Sequence, residues 1–380
     1  MSSSIRCDRK CDIPIVPNYT LFPKLPKNMK IPFQKPRFKL NFSEKECVDN
    51  VMLVDSGTSA LYLVLKEIGL NSTDEVIMPS FVCKSVANAV LSANGTPVFA
   101  DIGTNDFNIN VDTIKEVMTS NTKVIIMVHQ YGKYCDFIGI RKLCDDNDII
   151  LIDDSAVCNL GDKGHYGIRS FNMGKPVMCM GGSAVIGLSR YYSLGRALFP
   201  RIIFFVTNIY LKKYFVRVFY HLVKWGIVKR EEDISKLYEE TNKKDVNIIP
   251  RKMHWLQKLL LHDIDDVCKW IDRAELYSIM LEKVPNLIVP NLENNICFVY
   301  TILVEDRYEL ANYLAEHGIE TYWTFHPLHL QSKYKGYQTK ELPNTDKVWK
   351  KTLSLPIEGV TDIDIIYICN LINDYYGCYR

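Results

Sequence analysis

The 380-residue chain lacks any uninterrupted apolar run of about eighteen residues, so no membrane-spanning helix is expected. Its first ten residues, Met1 to Lys10, hold no apolar stretch of the kind a secretory signal requires. An excess of one charge is missing too: 46 Lys and Arg stand against 44 Asp and Glu, a net of +2. The two signs are interleaved almost everywhere, which removes the general footprint of a nucleic-acid binder. Zinc-type spacing is also missing. The twelve cysteines are scattered, the only close early pair is Cys7 and Cys11, and no His/Cys pair stands at a matching distance. Reduced thiols in a cytoplasmic protein are therefore the expectation, and no metal is expected.

What is present suits a folded globular protein: 47% hydrophobic and 24% charged residues, in a chain long enough for two domains. Residues 1–49 carry Pro14, Pro17, Pro23, Pro26, Pro32 and Pro36, a spacing that forbids long helices and predicts an extended arm. From about residue 50, strand and helix patterns alternate. Helices are predicted over Ser59–Gly69, Lys84–Ser92, Val111–Met118 and Ile138–Asn147. Strands are predicted over Glu75–Met78, Pro97–Asp101, Lys123–Val128 and Ile149–Asp153. This rhythm predicts an α/β domain over 50–245, with a mainly parallel sheet covered by helices on both faces. Residues 246–380 read as a smaller α+β unit. It should hold a long helix over Trp255–Leu281, strands near Cys297–Val304 and Gly318–Trp323, and helices over Arg307–His317 and Asp362–Tyr376.

Residues 190–230 differ from their surroundings. Nine basic side chains and no acidic one mix with Phe199, Phe204, Phe205, Phe215, Phe219 and Trp225. A core helix pair with a cationic stripe in solvent is one reading. The other is an in-plane helix over 199–228 that brings the protein to anionic lipid as a peripheral membrane contact. The polar run Lys229–Asp245 follows as a linker.

In parallel sheets ligands gather at the carboxyl ends of the strands, where the turn Ser56-Gly57-Thr58-Ser59, His129 and Asp154 all fall. The turn opens a helix with small hydroxylated residues, which serves either as a phosphate cradle or as a plain N-cap. Lys175 stands alone in the uncharged stretch Ser170-Phe171-Asn172-Met173-Gly174-Lys175-Pro176, about twenty residues after Asp154. A loop lysine downstream of a strand-end carboxylate suits Schiff-base chemistry with pyridoxal phosphate. The amine holds the aldehyde and the carboxylate keeps the pyridine nitrogen protonated. A solvated surface lysine is the alternative.

The motifs Ser56-Gly57-Thr58-Ser59-Ala60-Leu61, Asp74-Glu75-Val76-Ile77-Met78-Pro79-Ser80-Phe81, Val128-His129-Gln130-Tyr131-Gly132 and Asp153-Asp154-Ser155-Ala156 occur in this order. Ser170-Phe171, Lys175, Gly181-Gly182-Ser183-Ala184, Met253-His254-Trp255-Leu256-Gln257 and His326-Pro327-Leu328-His329-Leu330 continue the series. Over roughly residues 50–375 the ordered set resembles the DegT/StrS-type sugar aminotransferases, pyridoxal-phosphate enzymes of fold type I with a seven-stranded-type sheet. The resemblance implies a homodimer and transfer of an amino group from glutamate to a keto group of a nucleotide-linked sugar, in polysaccharide biosynthesis. It implies an internal aldimine at Lys175, a salt bridge from Asp154 to the pyridinium nitrogen, and phosphate contacts from Gly57, Thr58, Ser59 and Ser170. Related deoxygenases carry histidine at the lysine position, so Lys175 points to transamination.

The chain departs from that pattern in three places. Cys83 stands where many members stack an aromatic residue on the cofactor, Val157 replaces a Gln or His, and Pro250 replaces an asparagine. Losing one stack and two hydrogen bonds weakens cofactor binding by on the order of a few kcal/mol unless something compensates. Phe81 is the candidate to restore the stack. His129, His326 and His329 are weaker candidates for substrate contact. The departures keep two other functions open: a cofactor-poor, membrane-associated scaffold, or the same chemistry on a keto-cyclitol or lipid-linked ketone.

Overall fold

The computed structural model describes residues 51–103, 106–158, 160–172, 175, 177–178, 181–196, 247–260, 262–263, 267–319, 321–323, 325–357 and 359–378. The arm over 1–49, the 199–228 segment and the linker Lys229–Asp245 lie outside the described residues.

Apolar side chains on both faces of short strands build the main sheet. In β4 (Thr122–Val128), Val124, Ile126 and Val128 belong to one core and Ile125 and Met127 to another. In β2 (Glu75–Pro79), Val76 and Met78 lie on the first side and Ile77 on the second. Strands apolar on both faces must be covered on both. Helices α1 (Gly57–Ile68) and α2 (Lys84–Ser92) cover one face, and α3 (Val111–Val117) and α4 (Phe137–Asp146) the other. Each aliphatic side chain buried this way contributes about 1.5–3 kcal/mol.

The other strands are β1 (Val51–Val54), β3 (Thr96–Ala100), β5 (Ile150–Asp154), β6 (Tyr166–Ser170) and β8 (Ser183–Ile186). They run in the order β3-β2-β4-β5-β6-β8-β1, and β10 (Arg251–Lys252) and β9 (Gly195–Arg196) extend the β1 edge by two residues each. From β3 to β6 every pairing is parallel; β8 is antiparallel to both neighbours. The expected mainly parallel, seven-stranded arrangement is present, with a two-strand margin added.

A second core forms where α6 (Val267–Leu281), α7 (Arg307–Glu316) and α9 (Asp362–Tyr375) pack on an antiparallel sheet of β12 (Leu287–Ile288), β13 (Tyr300–Val304) and β14 (Thr352–Leu355). Tyr277 and Tyr300 stack at 4.7 Å inside it, and the Tyr277 hydroxyl donates to the Pro356 carbonyl at 2.8 Å. Ile248, Leu328, Tyr334 and Leu342 pack instead into the core of the main sheet.

Three expectations need correction. The helix over Trp255–Leu281 is two helices, α5 (Trp255–Leu260) and α6, with β11 (His262–Asp263) between them. There the backbone pairs with β7 (Val177–Met178), and a ladder partner supplied by distant chain outweighs helical periodicity. No continuous strand forms over the described residues of Gly318–Trp323: Ile319 and Tyr322 are isolated bridge residues, Tyr322 pairing with Ser354, and the Trp323 ring stacks on the Arg307 guanidinium at 4.7 Å. Helix α8 (Pro343–Trp349) was not expected, since its cap is not local. The Asp101 carboxylate, at the end of β3, accepts from Asn344 N, Thr345 N and the Thr345 hydroxyl at 2.7–2.9 Å.

Candidate active site

Val128, Asp154 and Ser170, the last residues of β4, β5 and β6, all line one cavity of about 740 Å³. That volume lies within the roughly 300–1,000 Å³ of small-molecule sites, and its position follows the rule for parallel sheets.

The start of α1 forms one wall through Ser56, Gly57 and Thr58. The Ser56 hydroxyl accepts from Ser59 N at 3.2 Å and the Ser56 carbonyl from Ala60 N at 3.0 Å. The amides of Gly57 and Thr58 precede this first helical bond and stand at the positive end of the dipole. A Cβ on Gly57 would lie 3.6 Å from the Ser170 hydroxyl, so the start of α1 and the end of β6 meet on this wall and bring backbone amides and a hydroxyl together, a donor set that suits an anion.

Side chains alternate along β5. Leu151 faces α3 and α4 and Ile152 the opposite core, so Asp153 and Asp154 also part to opposite sides. Asp154 is buried, and burial pushes its carboxyl up to about 6 against the pull of the nearby Lys175 charge. Among the described residues, Ala156 N donates to it at 3.2 Å. Lys175 lines the same cavity. Burial of its amine pushes its pKa down, while the charges of Cys83 and Asp154 oppose that shift. The Lys175 Nζ lies 4.9 Å from the centre of the Phe298 ring.

Asp153 is fully buried and collects four donors: His129 Nε2 at 3.0 Å, the Ser155 hydroxyl at 2.5 Å, and Gly161 N and Lys163 N at 3.0 Å each. Burial alone would raise its pKa, but the hydrogen bonds outweigh it and the net shift is downward. Cys135 N donates to His129 Nδ1 at 3.0 Å, which leaves the ring proton on Nε2, facing Asp153.

The structure gathers Gly57, Thr58, Cys83, Asp154, Val157, Ser170 and Lys175 around this cavity. Six of the residues singled out from sequence fall elsewhere. Ser59 turns away, its hydroxyl accepting from Ser56 at 2.9 Å. Phe81 is wholly buried against Phe107 and Tyr131, at 6.5 and 6.1 Å, so it does not restore the missing stack. His129 is sealed beneath the sheet end with both ring nitrogens engaged. His329 is held between Ser80 at 2.7 Å and Asp346 at 3.0 Å, and ties α8 to the end of β2. The His326 ring packs edge-on against Trp349 at 5.1 Å. Pro250 also lies off the cavity wall. Sequence reasoning missed Phe298 and Phe325, which close the cavity from the C-terminal part of the chain. Phe325 stands one residue before the His326 motif, so a signal was present; Phe298 had none beyond its place before a strand.

The chain is similar to known proteins over most of its length. The chain is 26% identical over 358 residues to GDP-perosamine synthase of Escherichia coli O157:H7, covering 90% of each sequence. It is 28% identical over 323 residues to the 3-oxo-glucose-6-phosphate:glutamate aminotransferase of Bacillus subtilis, covering 81% of this chain and 67% of that one. In three dimensions it is similar to NtdA from Bacillus subtilis with bound cofactor PMP, with a TM-score of 0.62 at 24% identity, over 85% of this chain and 73% of that one. The DegT/DnrJ/EryC1/StrS aminotransferase family model matches residues 34–187 and 261–373, more than half of the sequence, and the chain belongs to that family of aminotransferases.

Proposed function

We propose that this protein uses pyridoxal phosphate to move an amino group from glutamate to a keto group of a nucleotide-linked sugar. One observation carries the reading: a buried lysine amine and a buried strand-end carboxylate line the same cavity. The donor set fits the cofactor. The amides at the start of α1 and the Ser170 hydroxyl suit its phosphate, Asp154 its ring nitrogen, and Lys175 its aldehyde.

Pyridoxal phosphate, when bound, supplies an aldehyde that takes up the amino group and a ring that delocalises the electron pair freed by C–H cleavage. Asp154 would accept a hydrogen bond from the protonated ring nitrogen, and a cation there would favour its ionised form. Lys175 takes the proton from the amino-bearing carbon of glutamate, which leaves as a keto acid. It then delivers a proton to the former keto carbon of the sugar. Burial lowers the pKa of its amine and so favours the neutral form this work requires. Val82, Val157, Phe298 and Phe325 exclude water around it.

Lys175 is the sole basic residue among the described residues of the wall. Glutamate carries two carboxylates and a nucleotide-linked sugar a diphosphate, so further cations must reach the site from elsewhere. This supports a homodimer in which a second copy completes each cavity.

Borohydride reduction of the purified protein with pyridoxal phosphate, followed by peptide mass analysis, should leave the pyridoxyl mass on the Lys175 peptide. Protein that stays colourless with added cofactor would point to the scaffold. A panel of nucleotide keto-sugars and keto-sugar phosphates, assayed for glutamate-dependent amination, separates the acceptor classes. Turnover of the sugar phosphates alone would overturn the nucleotide assignment.

A further inference from the structure

Asp154 faces Lys175 across the cavity, yet on the reading above that carboxylate belongs to the ring nitrogen when the cofactor is bound. The amine then needs another surface to rest on whenever it is not bonded. The face of Phe298, 4.9 Å from Nζ, is within the ~6 Å over which a ring attracts an ammonium.

Several contacts fix that ring. Trp270, itself 1% exposed, meets Phe298 edge-on at 6.4 Å and 72° from within the second core. The segment leading to Phe298 is tied to the turn that follows β4: Tyr134 N donates to Asn294 O at 2.9 Å and Ile296 N to Gly132 O at 3.1 Å. The two backbones touch so closely that a Cβ on Gly132 would lie 2.9 Å from Ile296 Cγ1 and 3.0 Å from Phe298 N. Gly132 also has a φ of +92°, so only glycine fits this crossing without strain. At Cys297 the chain bends through a φ of 51°, held by Asn295 Oδ1, which accepts from Cys297 N at 2.8 Å. The residue after this bend is aimed at Lys175.

We propose that Phe298 is a positioning residue for Lys175, its ring face receiving the ε-ammonium and keeping it directed into the cavity between bonding events. The proposal rests on Lys175 being the reacting amine. The groups facing that amine are Asp154, Cys83 and the Phe298 ring. The ring favours the ammonium form and so opposes burial, which favours the neutral amine. Replacing the ring by an aliphatic side chain of similar bulk therefore leaves more of the amine neutral at a given pH.

The test is competitive acetylation of the full-length protein, freed of cofactor, by acetic anhydride, with exposed Lys66 as internal reference. Lys175 in Phe298→Leu should acetylate about threefold faster or more than in the unaltered protein near pH 7. In Phe298→Tyr, which keeps the ring face, the rate should stay within about twofold. A Leu variant that labels at the unaltered rate or slower overturns the proposal, and so does a Tyr variant that behaves like Leu. Borohydride fixation on the unaltered protein is read separately. If no pyridoxyl mass appears on Lys175 the assignment of the cofactor fails, whereas the acetylation ratio still decides whether Phe298 holds the amine.

Discussion

Asp153 and Asp154 are neighbours on one strand, yet the two sides of the sheet end on which they lie make different things of the same carboxyl group. On the α3/α4 side, Asp153 meets four donors and its pKa falls. On the cavity side, Asp154 accepts from Ala156 N and feels the Lys175 charge, and its pKa rises to about 6. Burial acts on both, so burial does not separate them; the supply of hydrogen-bond donors does. The satisfied carboxylate fastens the loop from Ser155 to Lys163 that carries the cavity residues Ala156 and Val157. The unsatisfied one is held ready for a ligand that brings its own proton. A structural side and a working side can thus stand one residue apart.

Exchanging the two roles by mutation gives the largest effect. Asp154→Asn should lower turnover by roughly a thousandfold, the scale of losing one preorganised electrostatic group, in a steady-state amination assay. The same substitution should make the cofactor-free chain more stable. Raising a carboxyl from 3.8 to about 6 costs roughly 3 kcal/mol at neutral pH with the Lys175 attraction already included, and the variant escapes that cost, less what the buried asparagine amide pays for its own desolvation. A net gain of about 1–2 kcal/mol in urea denaturation is expected. Asp153→Ala should do the reverse. It strands the His129, Ser155, Gly161 and Lys163 donors in the interior and should cost about 3–5 kcal/mol. Equal stability changes at the two positions would break the comparison.

Titration sharpens it. Folded Asp154 holds its proton up to about pH 6 while the unfolded chain releases it near 3.8, so the folded state binds more protons between those values. Stability from this group is therefore present below about pH 4 and lost as pH rises through about 6. Asp153, with its lowered pKa, contributes in the opposite sense: its stabilisation is present above the unfolded value and lost as pH falls through the folded one. Subtracting the pH–stability curve of Asp154→Asn from that of the unaltered cofactor-free protein should leave a decline between about pH 4 and 6. A flat difference would show that Asp154 is not buried uncompensated.

Much of the main sheet was legible in the sequence because strands apolar on both faces and amphipathic helices announce themselves locally. Lys84–Ser92 was read to the residue, and the strands and helices from Glu75 to Asp154 were read within a residue or two. Local patterns failed where distant chain decides. Asp101 caps α8 across 243 positions, and β7 turns His262–Asp263 into a strand inside an apparent helix. The cavity divides in the same way. Gly57, Thr58 and Asp154 occupy a helix start and a strand end, where position alone predicts them, whereas Lys175 was marked by its uncharged loop and Ser170 by the ordered motif set. Phe298 reaches the wall by a backbone crossing at Gly132 that no single segment encodes. Among the histidines, residue type alone does not separate roles, because an imidazole suited to catalysis also satisfies buried carboxylates and hydroxyls, as His129 and His329 do.

The smallest expected effect probes the working side without touching a charge. A Cβ at residue 57 would meet the Ser170 hydroxyl at 3.6 Å and its Cβ at 3.7 Å, ordinary contact distances, so Gly57→Ala does not crowd the protein itself. Alanine in the first turn of α1 should leave stability unchanged or raise it by up to about 1 kcal/mol. The added methyl nevertheless stands beside the α1 amides and the Ser170 hydroxyl, where the cofactor's phosphate is proposed to sit. Affinity for pyridoxal phosphate, followed by absorbance titration, should fall about tenfold, worth about 1.4 kcal/mol. An Ala variant with unchanged affinity would move the phosphate away from the start of α1. One with reduced stability would mean that residue 57 serves the fold, as Asp153 does, and that the working side begins further into the cavity.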